Sequence, residues 1–212
     1  MIKLTHYAKR YSEAFDKFVN APHFFKRLWQ VNSKIKMLQR RQRVTLIKVV
    51  RVLLSKMTGD NNQIGQCEAD AMYGIIHKEL IKLYGKMHGE SISEGRWYRA
   101  IGHLVDAGYL KSKSALTITG TDECPVIRSI ASLKEFTSLF FADINLEHKK
   151  DIRVSRAKGV ASRIDQGRSN VWYGYIVFDR VSKCKFAQAV KSITPTYTEV
   201  PYDFDNDIFG KE

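Results

Sequence analysis

Proline and cysteine are scarce in these 212 residues, with four of the first and three of the second. Cys67, Cys124 and Cys184 stand far apart, form no CxxC pair and make no even set. That excludes a disulfide framework and fits a reducing, cytoplasmic setting. No stretch approaches the roughly 18 apolar residues that a transmembrane helix requires. The opening MIKLTHYAKRYSEAF lacks the apolar core of a signal peptide. No GxxxxGK[ST] is present, which excludes a P-loop ATPase. No HxH is present to hold a metal beside a tyrosine nucleophile, as rolling-circle nickases require. His6, His23, His77, His88, His103 and His148 are scattered, and each reads as surface or core. Asp203, Asp205 and Asp207 resemble half a calcium loop, but the glycine and distal glutamate are missing. No repeat or low-complexity tract is visible. Neither a cofactor nor a catalytic set is expected.

Acidic residues are the most unevenly missing. Residues 1–58 hold 14 basic and 2 acidic residues, and residues 143–191 hold 11 and 5. Residues 59–142 are nearly balanced at 9 and 10, and residues 192–212 are acidic at 1 and 5. The chain as a whole carries +13. Segregated positive charge points to nucleic acid or an anionic membrane surface. Residues 34–57 could form a basic amphipathic helix at a membrane, but their apolar face is explained more simply as core. No membrane partner is expected.

The stretch SISEGRWYRAIGHLVDAGYL, residues 91–110, says most about function. Ser93 can cap a helix opening at Glu94. Trp97, Ala100, Ile101, Leu104 and Val105 share one face, and Arg96, Arg99, Gly102, His103 and Asp106 share the other. Gly108 suits a left-handed helix end, and Tyr109-Leu110 begin an extended run. Before it, Leu46, Ile47, Val50, Leu53, Leu54 and Met57 predict a helix over 43–57, behind the basic segment KIKMLQRRQ. Residues 67–86 read as a second helix with Met72, Ile75, Ile76, Leu80 and Leu83 inside, after a Gly59–Asn62 loop. Tyr109–Ile118 and Cys124–Ile130 read as a hairpin with a polar tip at 120–123. Ser132–Glu135 has the capping-box pattern and predicts a helix through Phe141. Asn145 is expected to cap a basic helix running to Gly167. Residues 171–178, VWYGYIVF, suit either a buried strand or part of a longer helix. Pro22 divides residues 1–33 into two helices, and Pro195–Glu212 reads as an acidic tail.

The expected fold is therefore mainly α with some β, a winged helix-turn-helix core with added N-terminal and C-terminal helices. The expected segments are 1–42 (basic, aromatic, helical), 43–142 (winged helix), 143–194 (basic helical) and 195–212 (acidic tail). Arginine reads guanine because its planar fork matches the O6/N7 pair. Arg96 and Arg99, flanked by Tyr98 and His103, are the base-reading candidates. Lys34, Lys36, Arg40, Arg41 and Arg43, with Lys48 and Arg51 beyond them, suit phosphate contacts. Lys111, Lys113 and Arg128 would grip the backbone from the hairpin. The basic set at 149–163 could track a neighbouring groove or could simply be solvated.

Three blocks carry a family likeness: KMLQRRQRVTLIKVVRVLLSKM, SISEGRWYRAIGHLVDAGYL and SLKEFTSLFFADINLEHKKDIRVSRAK. Together they make residues 34–165 resemble the RepA initiators of IncFII-type plasmids. The resemblance implies a cytoplasmic replication initiator that binds double-stranded origin DNA and takes part in plasmid copy control. It also implies that host initiator and replicative helicase are recruited, with no catalysis by the chain. It places Arg96 and Arg99 in the recognition helix. The chain departs from the family where VWYGYIVF and an acidic tail replace an arginine-rich helical end. A homodimer stays open. The rival readings are a winged-helix transcriptional repressor, a DNA-nicking replication enzyme and an RNA-binding protein.

Overall fold

A computed structural model describes residues 4–29, 38–121, 124–173 and 176–178. Residues Met1–Val177 fall in one compact unit, and Phe178–Glu212 fall in another. Among the described residues are seven α-helices and an antiparallel sheet, so the protein is mixed α and β, with more strand than the sequence pattern implies.

Helix α1, His6–Asp16, starts where the Thr5 hydroxyl accepts from the Ala8 amide. It buries Tyr7, Ala8, Tyr11 and Phe15 along one face. Short 3-10 turns at Lys17–Val19 and Pro22–Phe24 lead to helix α2, Lys26–Trp29. Helix α3, Arg40–Leu54, lies at the centre. Its apolar stripe is as expected, but Val49 and Val52 are fully buried as well. Neighbours cover it from several sides: α1, α4 (His77–His88) and α5 (Glu94–Asp106) all pack on it. The two charged residues of its middle, Arg51 and Lys48, are paired. Arg51 donates to Asp16 Oδ2 (2.8 Å) and Ser12 Oγ (2.9 Å), and Lys48 Nζ donates to Glu90 Oε1 (2.8 Å).

Between α3 and α4 the expected helix over 67–86 is wrong in its first half. Residues Gln63–Cys67 form β1 and Met72–Gly74 form β2, an antiparallel pair with Gly65 opposite Gly74. A Cβ on Gly65 would come within 2.6 Å of Met72 Cε and of the Tyr73 carbonyl oxygen. These glycines permit close backbone approach and at the same time weaken the local strand signal. Helix α4 begins only at His77 and ends at Gly89, which adopts the left-handed conformation at φ +67.

Strands β3, Leu110–Thr121, and β4, Cys124–Phe136, form the long hairpin. Their register runs from Leu110 opposite Phe136 to Thr121 opposite Cys124, with a shift between Lys113 and Ala115. Strand β4 runs past the expected end and carries the 132–135 segment, so the predicted capping box does not form. The reason is tertiary: β4 pairs with β3 on one side and with β1 on the other, where Gln63 opposes Glu135 and Ile64 opposes Lys134. The strand order is β2-β1-β4-β3, and a short strand β5, Ile176–Phe178, follows β3 at the edge. Helix α6 is Ser138–Ile144. Asn145 closes it in the left-handed conformation (φ 52) and does not open the next helix, a second correction. Asparagine tolerates that conformation better than other non-glycine residues.

Helix α7, Lys150–Asp165, is fastened by its arginines. Arg156 donates to the Gly59 carbonyl (2.6 Å) and to Asn62 Oδ1 (2.7 Å), and its guanidinium lies 5.7 Å from the Phe141 ring centre. Arg163 donates to Asp60 Oδ2 (2.9 Å). These two members of the basic 149–163 set are structural ties. Of the 171–178 run, Val171 is exposed, and the segment joins β2 through a parallel bridge between Trp172 and Met72. The expected acidic tail at 195–212 and the hairpin tip at 122–123 lie outside the described residues.

Lys134 carries an electrostatic cost in this core. Its side chain is buried at 1% exposure, and among the described residues its ammonium donates to the carbonyls of Ile75 (3.3 Å) and Ser132 (3.1 Å). Burial lowers its pKa from 10.5 to about 8. The cost of holding the charge inside is therefore present below pH 8 and is relieved as the pH rises toward 10.5. Relative to a Lys134→Met variant, the wild type is expected to gain about 3 kcal/mol of unfolding free energy between those limits. Denaturant titrations of both proteins across that range provide the check, and parallel pH profiles would contradict it.

Candidate nucleic-acid interface

Helix α5 has two contrasting faces. Trp97, Ala100, Ile101 and Leu104 are buried, while Arg96, Tyr98, Arg99 and Asp106 are exposed. The 3.6-residue period of SEGRWYRAIGHLVD generates this division. Trp97 is the anchor: fully buried, it donates from Nε1 to His77 Nδ1 at 2.8 Å. The outer side of the same helix is thereby held at a set orientation. At its end Gly108 (φ +72) turns the chain into β3, and the Thr137 hydroxyl donates to the Gly108 carbonyl at 2.6 Å. Ser93 is the N-cap residue, as the sequence implies, although its side chain makes no capping hydrogen bond.

The four expected base-reading residues lie on this helix. Arg96 and Arg99 are exposed and, among the described residues, neither joins an ion pair. Arg99 Nε donates to the Gly95 carbonyl of its own helix at 3.1 Å. Tyr98 is half exposed at 49%, and its ring lies 4.8 Å from that of His77. His103 is half-buried. Desolvation depresses its pKa, the Arg99 charge adds to the effect, and Asp106 opposes it. The imidazole is therefore neutral at pH 7, with one ring nitrogen donating and the other accepting.

The expected phosphate set divides. Lys34 and Lys36 lie outside the described residues. Arg40 and Arg41 are exposed on the first turn of α3, and Arg43 is half-buried beside them. Lys48 and Arg51, also expected to meet phosphates, are committed to Glu90 and Asp16. Their place on the central helix, beside acids brought from elsewhere in the chain, accounts for this. On the hairpin, Arg128 is exposed, Lys113 is half-exposed and Lys111 lies 3.7 Å from Glu135. That last pair is 63% exposed on the lysine side, a setting where ion pairs contribute little.

The sequence reading overlooked His77. Nothing local marks it, because its role depends on Trp97 twenty residues on. Burial lowers its pKa from 6.5 to about 4, with the Lys134 charge contributing. A base whose folded pKa is depressed opposes protonation, so its contribution is complete above pH 6.5 and is lost as the pH falls toward 4. Protonation at Nδ1 would also remove the acceptor of the Trp97 bond. Stability is therefore expected to fall more steeply between pH 6.5 and 4 in the wild type than in His77→Gln. Thermal melts at stepped pH would show this, and superimposable profiles would remove His77 from the account.

Among the described residues no three His, Cys, Asp or Glu side chains gather as a metal-binding group, and no helix is long and apolar enough to cross a membrane. Comparisons of the chain with protein-family models, with curated proteins and with solved structures gave no match.

Proposed function

We propose that this is a sequence-specific duplex-DNA-binding protein of winged-helix architecture that acts as a plasmid replication initiator. One observation carries the reading: an outward helix face bearing Arg96 and Arg99, both without acidic partners among the described residues, on a helix locked from behind by Trp97. The order α3, β1, β2, α4, α5, β3, β4 supports it, because α4 and α5 followed by the β3–β4 hairpin keep the winged-helix order, with the β1–β2 pair inserted after α3.

In this reading α5 enters the major groove, which is about 12 Å wide and admits a helix. Arg96 and Arg99 meet guanine edges, and Tyr98 and His103 contact the neighbouring bases. Arg40, Arg41 and Arg43 hold phosphates, as do Lys34 and Lys36 from the sequence. Arg40 and Arg41 stand at a helix N-terminus, where a cation opposes the helix dipole by about 0.3–1 kcal/mol. A bound phosphate would offset that cost. Lys111, Lys113 and Arg128 grip the backbone from the hairpin. The resemblance to plasmid initiators supplies the role. Binding and bending would open A·T-rich origin DNA, host initiator and helicase would be recruited, and the chain would act without catalysis of its own. Bending costs a few kcal/mol, which the added contacts offset.

The test begins with selection of a binding site from a random duplex pool. Arg96→Ala or Arg99→Ala is expected to weaken the selected site by about 1–3 kcal/mol, roughly 5- to 150-fold, with little change on mixed-sequence DNA. Melting temperature should be unchanged, since both side chains are exposed. Wild-type affinity for the selected site in both variants would reject the assignment. For the role, a host extract should replicate a plasmid carrying the selected site only when the protein is added. Tight binding without replication would favour the repressor.

A further inference from the structure

The cations of this unit sort by use. Those that hold the fold have partners: Lys48 with Glu90, Arg51 with Asp16, Arg156 with Glu147 and Arg163 with Asp60. Helix α4 carries a set that does not. Lys78, Lys82 and Lys86 are all exposed, and among the described residues none joins an ion pair. Their four-residue spacing places them on one face, opposite the buried Leu80 and Tyr84. Successive lysines are about 6 Å apart along the helix axis, close to the separation of neighbouring phosphates along one nucleic-acid strand. Like charges at this spacing repel by about 0.2–0.5 kcal/mol per pair. The free protein thus holds an unfavourable arrangement that a polyanion would relieve.

The row also begins at the candidate interface. Lys78 follows His77, which accepts from Trp97 and packs at a tilt against the Tyr98 ring. The start of α4 therefore adjoins the flank of the exposed α5 face, and the lysines run away from it along α4.

We propose that Lys78, Lys82 and Lys86 form a phosphate-tracking ridge that follows the DNA strand bordering the groove occupied by α5. The inference rests on the DNA-binding reading above and adds to it a second helix and three contacts outside the expected set. The ridge contributes affinity without sequence preference, because phosphates are alike at every base pair. It also accounts for the position of α4, since the first helix of a helix-turn-helix crosses the backbone.

The experiment compares the full chain with a triple variant, Lys78→Gln, Lys82→Gln and Lys86→Gln. A control variant, Lys9→Gln, Lys17→Gln and Lys26→Gln, removes the same charge from exposed positions of the N-terminal helical segment. Affinity for a short mixed-sequence duplex is measured by fluorescence anisotropy across a salt series, together with thermal melts. The α4 variant is expected to melt at or slightly above the wild-type temperature. It should bind at least 10-fold more weakly at low salt, with the slope of log K against log salt reduced by about 2–3. The control should keep most of the slope. Equal losses in both variants would mean that net charge alone matters, and an unchanged slope in the α4 variant would mean that the ridge touches no phosphate. Either result overturns the inference and leaves the α5 reading standing. A wild-type protein that binds no duplex at all would overturn both.

Discussion

The burial of α3 is the constraint from which the remaining structure follows. Val49, Val50, Val52 and Leu53 are wholly inaccessible, so along its middle this helix is left to water only on the side of Lys48 and Arg51, which are themselves partly covered. Each such aliphatic side chain contributes about 1.5–3 kcal/mol when removed from solvent. To cover them the chain must bring α1, α4 and α5 against one cylinder, and Lys48 and Arg51, the two charged side chains along its middle, must find acids. Asp16 reaches Arg51 from the end of α1, and Glu90 reaches Lys48 from the turn after α4. Glu90 also accepts from the Tyr84 hydroxyl, whose pKa is raised by burial first and by this bond to Glu90 second. Packing and charge satisfaction thus set the same arrangement.

The exposed face of α5 inherits its orientation from that packing. Trp97 fills space against α3 and α4 and directs its indole N–H to His77, so the opposite residues, Arg99 and Asp106, point outward with little freedom in helix rotation. The hairpin is tied to the same point. Thr137 bonds back to Gly108, and Tyr109 donates to Asp143, so the end of α5, the start of β3 and the start of α6 form one joint. For the DNA contact proposed above this rigidity matters, since displacement of a guanidinium fork forfeits paired hydrogen bonds. The aromatic residues near the N-terminus serve the same rigidity. Tyr11 meets Phe141, and Phe15 meets Phe140, so these rings close the core beneath α6.

Helices with strong amphipathic periods were readable without the fold. The bounds of α5 and its division into wet and dry faces follow from spacing alone, and so does most of the apolar stripe of α3. The hairpin was legible because β-branched runs flank a polar turn. What failed were segments whose state depends on distant pairing. Ser132–Glu135 carries a helix-start pattern, yet β1 and β3 claim its backbone hydrogen bonds from both sides. Residues 63–74 contain Gly65 and Gly74, which erase the usual strand signature at the point where the two backbones come closest. Asn145 suits either end of a helix, and only the space after α6 selects the left-handed stop.

Charge shows the same division. Composition and order along the chain establish that positive residues greatly outnumber negative ones in residues 1–58, that α5 has arginines on its polar side, and that α4 has lysines four residues apart. These are local properties, carried by helical period and by counting. Which cations remain available to a partner is a different matter. Arg51 and Arg156 look no different in sequence from Arg96 and Arg99, but a folded chain brings Asp16 to the first and the Gly59–Asn62 turn to the second. The same holds inside the core, where Lys134 and His77 come together from 57 residues apart in number. Only three-dimensional proximity decides which charges neutralise one another, because Coulomb and hydrogen-bond energies depend on distance in space and not on separation along the chain.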